Sequence, residues 1–454
     1  MVEDLISGLN RSAKLYIDRG THSTVEDAMA RLNSFRMHLS VDEAASSATH
    51  QAALLTALNC GRRTFLGGVT VSGALHTPLS LPVAAGETLA EVIVSLGGTV
   101  TDEIPPGVPL VCIGRPPEVV SSEFAVRVTF QGWRGGVVPV GAAVLPEDSN
   151  FAPTGVLAGA LAVAELFAHL DGEAMAGYRT LGMSLWDQDG TANWASSDCD
   201  GPQPTVLPAD FWVIGLGHLG QAFLWTIGML PFADPSRVRL FLQDADEAGK
   251  STDSTSVLTA AADVGRLKTR ICADWAARRG FRTNLIERRF AADMRIGLGE
   301  PMLALCGVDN PQARAILDGA GFATVFEAGL GSGVDDFRLI RTHSFPAPAG
   351  TRDIWGNDEP AQSLPSAVRP PAYTGLKERG ELDECGLTRL AEVAVGAPFV
   401  GMTAAAVLIA QIVQMVIDGS RPTVLNLDLR ALQHRSLVPR DGSDIVVFAT
   451  TQSN

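Results

Sequence analysis

The stretch FWVIGLGHLGQAFLWTIGML (residues 211–230) constrains this chain more than any other. An apolar, strand-forming run meets Gly215, Gly217 and Gly220 in G-x-G-x-x-G spacing, and an apolar helical pattern follows. Strand, glycine turn and helix in that order build one half of a nucleotide-binding βαβ unit. Gly215 permits the tight turn, Gly217 a close approach of phosphate, and Gly220 close packing of helix on strand. The helix N-terminus then offers N–H donors and partial positive charge to an anion. A dinucleotide-dependent redox enzyme and an ATP-dependent activating enzyme can both start this way. A glycine turn without a ligand is the plainer alternative.

The surrounding pattern predicts an α/β protein with a mostly parallel sheet. After residue 205, apolar strand-like runs (FWVIGLG, VRLFLQDAD, TNLIERRF, PMLALCGVD, ATVFEAGLG) alternate with helical ones. Ligands of such sheets sit at the carboxyl ends of the strands. Residues 1–58 read as helical, including AMARLNSFRMHL. Residues 59–195 give short apolar runs between Gly and Pro that read as strands, EVIVSLGG among them. The polar segment WDQDGTANWASSDCDGPQP reads as an exposed link to a second domain, 205–454. Two Ala-rich apolar helices end alike, GALAVAELFAHLDG and AAAVLIAQIVQMVIDG. Either the unit is duplicated and its first copy has lost the glycine loop, or these are two unrelated core helices.

With 454 residues, 46% of them hydrophobic, the chain can fill two cores. A net charge of −15 argues against nucleic acid as a partner. Glu165 interrupts one long apolar stretch, and Gln411 and Gln414 fall in the other. Both read as buried helices rather than membrane spans. Cys60, Cys112, Cys199, Cys272, Cys306 and Cys385 form no C-x-x-C pair, so no zinc is expected. The start, MVEDLISGLNRSAKLYIDRG, does not read as a signal peptide, which implies a reducing, cytoplasmic setting.

Asp244 ends the strand after the glycine loop, where a carboxylate can accept hydrogen bonds from ribose hydroxyls. That suits NAD and ATP alike. DEAGKST is no phosphate loop of the G-x-x-x-x-G-K-[ST] type, because its first glycine would fall on Asp244. Lys268 and Asp309 discriminate better. A carboxylate can hold Mg²⁺, and a lysine can offset charge developing on phosphate oxygens. Hydride transfer needs no such pair. The structural alternatives are a solvated helix lysine, a helix cap at Asp309, and a packing role for His218.

These residues together resemble a known family. GLGHLG, then Asp244 with Asp246, Asp263-x-Gly265-x-x-Lys268, and Gly307-x-Asp309-Asn310-x-x-x-Arg314 look like the adenylating domain of ThiF/MoeB/E1-type activating enzymes. The resemblance spans most of residues 205–425. Within that superfamily the chain most resembles bacterial E1-like proteins that accompany ubiquitin-like, E2-like and deubiquitinase-like partners in antiviral defence operons. Those join a degenerate adenylation domain to an active one. The resemblance implies ATP bound by Gly215, Gly217, Gly220, Asp244, Asp246, Lys268 and Asn310, with Mg²⁺ on Asp309. It also implies a ubiquitin-like substrate activated at its C-terminal carboxylate and an E2-like acceptor. Whether two chains pair as a homodimer is left open. The family's Asn and Arg in the loop after the aspartates are missing here; Thr252 and Thr255 stand near those places. Lys250, or Arg11, Arg31 or Arg36 reaching across from the first half, would then replace the arginine.

Cys385, in the polar stretch GELDECGLTRL within a crossover loop at about 345–390, is the expected thioester nucleophile, with Lys268 catalytic in adenylation. Cys199 is the rival; Cys272 and Cys306 read as structural. The competing functions are an NAD(P)-dependent oxidoreductase and an E1-like scaffold without activity. The first half is expected to pack against the second and help form its site.

Overall fold

The computed structural model describes residues 8–190, 192–356, 370–440 and 450–452, and of Glu384, Cys385, Arg440 and 450–452 the backbone alone. Two short helices, α1 (Ala13–Asp18) and α2 (Val25–Asn33), precede a first unit. It comprises β1 (Met37–Val41), α3 (Ala48–Thr64), β2 (Val69–Gly73), α4 (Leu89–Ser95), β3 (Thr99–Val100), β4 (Leu110–Ile113), β5 (Ala125–Gln131), β6 (Arg134–Pro139), α5 (Pro153–Leu170) and β7 (Leu181–Ser184). The second unit runs through β8 (Val206–Pro208), β9 (Asp210–Ile214), α6 (His218–Gly228), β10 (Arg239–Gln243), α7 (Lys268–Arg278), β11 (Arg282–Ile286), β12 (Leu303–Cys306), α8 (Pro311–Ala315), β13 (Thr324–Leu330) and β14 (Leu339–Phe345). Then come α9 (Thr351–Trp355), α10 (Pro371–Glu378), α11 (Glu384–Ala391), α12 (Pro398–Asp418), β15 (Arg421–Asp428), β16 (Ser436–Arg440) and β17 (Thr450–Gln452).

The two sheets repeat one topology. The first has the order β3-β2-β1-β4-β5-β6-β7 and the second β11-β10-β9-β12-β13-β14-β15-β16. Each is parallel through its first five strands and antiparallel beyond. The core order 3-2-1-4-5 is a Rossmann-like arrangement, and its parallel pairing is what the sequence led us to expect. Duplication is thus visible in the fold, with α5 and α12 in corresponding places before the last shared strand. Both helices are apolar all round because they are buried all round, between the two sheets. There α5 packs on α3 and on α12, and α12 packs on α6, so one continuous core serves both units.

The first copy lacks the nucleotide turn. Between β1 and α3 its chain runs through Asp42 and Glu43, and the Asp42 carboxylate itself accepts from Ala44 N at 2.9 Å and Arg115 N at 2.9 Å. An acidic side chain thus takes up backbone N–H donors at the turn after β1.

Three expectations are corrected. Met37–Val41, within the span read as helical, is an interior strand of the first sheet, paired on both sides by β2 and β4. Two ladders of backbone bonds outweigh a helical pattern that is short and only marginally stable alone. The first α/β unit therefore includes residues 37–58. EVIVSLGG, read as a strand, is mostly helix: Thr88 and Glu91 close a capping box, and Leu89, Val92 and Ile93 bury one face. The link is exposed at Ala192, Asn193, Ala195, Ser197 and Asp198 but is not free, being pinned to the first sheet. Asp200 accepts from Trp133 N at 2.7 Å and pairs with Arg134 at 3.1 Å, while Trp133 Nε1 donates to Pro202 O at 2.7 Å.

Candidate nucleotide site

A cavity of about 1260 Å³ opens at the carboxyl ends of β9, β10 and β12. Strand β9 is flanked by β10 and β12, so the turn after Ile214 emerges at the rim of the sheet. Gly215 has φ +80°, a left-handed conformation that favours glycine. A Cβ on Gly220 would lie 1.9 Å from Gly215 O, so this glycine lets helix and turn touch. Gly217 differs: a Cβ there would meet nothing within 4 Å, because it faces the cavity. The three glycines thus divide as the motif requires, two for the protein's own packing and one for a ligand. Helix α6 starts directly behind, with its N-terminus toward the cavity and no side-chain cap.

Acidic and basic groups surround this turn. The Asp244 carboxylate accepts from Leu216 N at 2.7 Å and from Asp246 N at 2.8 Å, which ties the glycine turn to the end of β10. Each oxygen keeps a further lone pair. Lys268, the first residue of α7, pairs with Asp246 at 3.1 Å, and Arg289 stands 3.9 Å from the same carboxylate. At the end of β12, Asn310 caps α8 by accepting from Ala313 N at 3.2 Å. Asp309 beside it is exposed to the cavity; among the described residues its carboxylate makes no hydrogen bond or ion pair. Arg314 is a strut: it donates to Val308 O at 2.8 Å and Ala328 O at 3.0 Å, joining the ends of β12 and β13.

The loop after the aspartates places Ser251, Thr252, Thr255 and Ser256 in the cavity wall, and Lys250 outside it. Of the arginines considered, Arg11 lines the cavity. Its N–H donates to Ser254 Oγ at 3.3 Å and its guanidinium to Ala394 O at 3.5 Å. Burial lowers its pKa, and the field of Asp309 opposes that shift. Arg31 instead donates to Leu170 O and lies over the Phe35 ring, while Arg36 is not among the lining residues. His218 packs its ring against Gly401 of α12; its Nε2 is buried without a hydrogen bond, and burial depresses its pKa to about 4. It is a neutral packing group, the plainer of its two readings. Sequence reasoning missed Gln221, whose amide bridges Leu216 O at 3.0 Å and Thr259 Oγ1 at 2.9 Å. A glutamine inside the apolar run of α6 was the available signal.

Cysteines 60, 112, 272 and 306 are fully buried. Cys199 is buried as well, contrary to expectation, with Sγ donating to Asn193 O at 3.2 Å. Burial, then a hydrogen bond with the Asp187 carboxylate, raises its pKa, so thiolate is disfavoured. The backbone of Cys385 lies in the first turn of α11, behind the N-cap Asp383; its side chain is outside the described residues, as is the middle of the crossover loop. Among the described residues no cluster of three or more His, Cys, Asp or Glu could hold a metal ion alone.

Two family models match the chain: the BilD N-terminal domain over residues 36–185 and the BilD C-terminal domain over residues 207–419. The bacterial E1-like protein BilD of Collimonas sp. (strain OK412) is 41% identical over 414 residues, covering 90% of this chain and 89% of that protein. Among solved structures, E. coli MccB is similar over 70% of this chain and 93% of its own, at 13% identity and a TM-score of 0.36. E. coli tRNA N6-threonylcarbamoyladenosine dehydratase, TcdA, is similar over 45% and 84%, at 16% identity and a TM-score of 0.29.

Proposed function

The chain belongs to the BilD family of bacterial E1-like proteins, and from that premise we propose that it uses Mg-ATP to adenylate the C-terminal carboxylate of a ubiquitin-like protein. A carboxylate is a poor acyl donor because its leaving group would be oxide. Attack of that carboxylate on the α-phosphorus of ATP releases pyrophosphate and leaves an acyl-adenylate, whose leaving group is AMP. A cysteine thiolate then displaces AMP, and the thioester passes to an E2-like partner. Cys385 is the cysteine assigned to that step.

The protein's share in the first step is positioning and charge stabilisation. The turn at Gly217 and the N-terminus of α6 receive phosphate oxygens. Asp244 accepts from the ribose, and Asn310 and Asp246 border the nucleotide. Lys268 and Arg11 offset negative charge on the phosphates. Asp309 fits Mg²⁺, an ion often held by one or two carboxylates together with substrate phosphates. Bound there, Mg²⁺ would neutralise phosphate charge.

The observation that carries the reading is the open face of Gly217 in one cavity with Lys268, Asp309 and Arg11. Arg11 also supports activity over the scaffold alternative, because it brings a cation from the first half to a cavity that Lys250 of the loop does not line. The test is ATP–pyrophosphate exchange with the cognate ubiquitin-like protein. Wild type is expected to exchange, and Arg11→Ala to lose about 10²-fold in rate. Stabilisation against heat by NAD but not by Mg-ATP would favour the oxidoreductase instead.

A further inference from the structure

The cavity wall carrying Ser251, Thr252 and Thr255 belongs to segment 250–259. Apart from one 3-10 turn, Lys250–Ser254, the segment has no regular structure. Its position must therefore be set by what it touches, and much of that is helix α3 of the first unit. Asn59 Nδ2 donates to Val257 O at 3.1 Å. Arg63 donates to Thr259 O at 2.8 Å and stands 3.3 Å from Asp253. Arg62 pairs with Asp253 at 2.7 Å. None of these three lines the cavity. Arg63 and Asn59 are buried, and burial lowers the Arg63 pKa to about 9. A buried guanidinium persists only where its hydrogen-bond partners stay fixed. On its other side the segment is held by Gln221, which accepts from Leu258 N at 2.8 Å and bonds Leu216 of the glycine turn. A continuous hydrogen-bonded path thus runs from α3 through residues 253–259 to the glycine turn.

We infer that Arg62, Arg63 and Asn59 are positioning residues for the nucleotide: helix α3 holds segment 250–259 at the separation from the glycine turn that ATP requires. The first unit, without a glycine cradle of its own, thereby sets the shape of its neighbour's. This rests on the ATP reading of the cavity given above.

The full-length chain carrying Arg62→Ala, Asp253→Asn or both tests it, since the Arg62 pair is partly exposed and an amide oxygen at position 253 still accepts from the buried Arg63. Expected are a near-wild-type melting temperature and faster amide exchange confined to residues 250–259. ATP affinity measured by calorimetry falls about tenfold in each single variant and little further in the double, as coupled residues behave. Arg63→Lys, which keeps charge but loses the planar fork, gives the same loss of affinity if the variant folds. Wild-type exchange over 250–259 in the folded Arg62→Ala chain overturns the inference, and so does a loosened segment with unchanged ATP affinity. A wild-type chain that binds no ATP overturns the nucleotide reading itself; amide exchange measured without nucleotide keeps the two failures apart.

Discussion

Lys268 and Asp246 meet twice: Nζ stands 3.1 Å from the carboxylate, and the Lys268 backbone N–H donates to the Asp246 carbonyl at 3.0 Å. The lysine opens α7, where the helix dipole disfavours a cation. Its place is therefore poor for the helix and well suited to a polyphosphate in the cavity.

Lys268→Ala should leave stability within about 0.5 kcal/mol, since a partly exposed pair contributes little and the dipole penalty disappears. ATP–pyrophosphate exchange should fall by about 10²–10³-fold. A chemical denaturation curve beside the exchange assay checks both halves. Comparable exchange in the variant would remove the lysine from the reaction.

Gly217 and Gly220 should respond oppositely to the same substitution. Gly220→Ala forces a methyl against Gly215 O and should cost at least about 3 kcal/mol. Gly217→Ala adds a methyl to open space and should fold normally, yet bind ATP at least about tenfold more weakly. Melting temperatures and calorimetric titrations of the two variants decide the point.

Cys385→Ala should keep pyrophosphate exchange and lose the thiol-sensitive adduct with the ubiquitin-like protein on a non-reducing gel. Cys199→Ser should lose neither, because that thiol is buried and held protonated. Loss of exchange in the Cys385 variant would show that the residue serves adenylation as well.

Acid should destabilise the fold between pH 6.5 and 4. Burial lowers the pKa of both His38 and His218 to about 4, against 6.5 when unfolded. A depressed pKa means that the unfolded chain takes up these protons first. The stability they contribute is thus present above pH 6.5 and lost as pH falls toward 4. Each contributes on the order of 3 kcal/mol. The slope of unfolding free energy against pH should drop by about one proton in His38→Asn. An unchanged slope would mean that His38 is not the group that titrates.

The second unit was largely legible in the sequence because its signals are local. A glycine turn after an apolar strand, a carboxylate ending the next strand and a lysine opening a helix each announce themselves within a few residues. The first unit was less so. Nothing near Met37 says that β2 and β4 will pair with it, and the capping box at Thr88 and Glu91 competed with a β-branched run. Cys199 looked exposed because its neighbours are polar, yet Asp200 satisfies Trp133 and Arg134 and draws the segment inward. Arg11 stayed one of three candidates because its nearness to Asp309 is a product of how the two units pack.

Two sheets of one strand order with a single glycine cradle between them have a corollary for stoichiometry. A symmetric pair with two intact cradles can alternate, one half binding while the other releases. Here the turn after β1 has no glycine cradle, and its N–H of Ala44 is taken by the Asp42 carboxylate. A calorimetric titration of the proposed nucleotide site is therefore expected to give one nucleotide per chain.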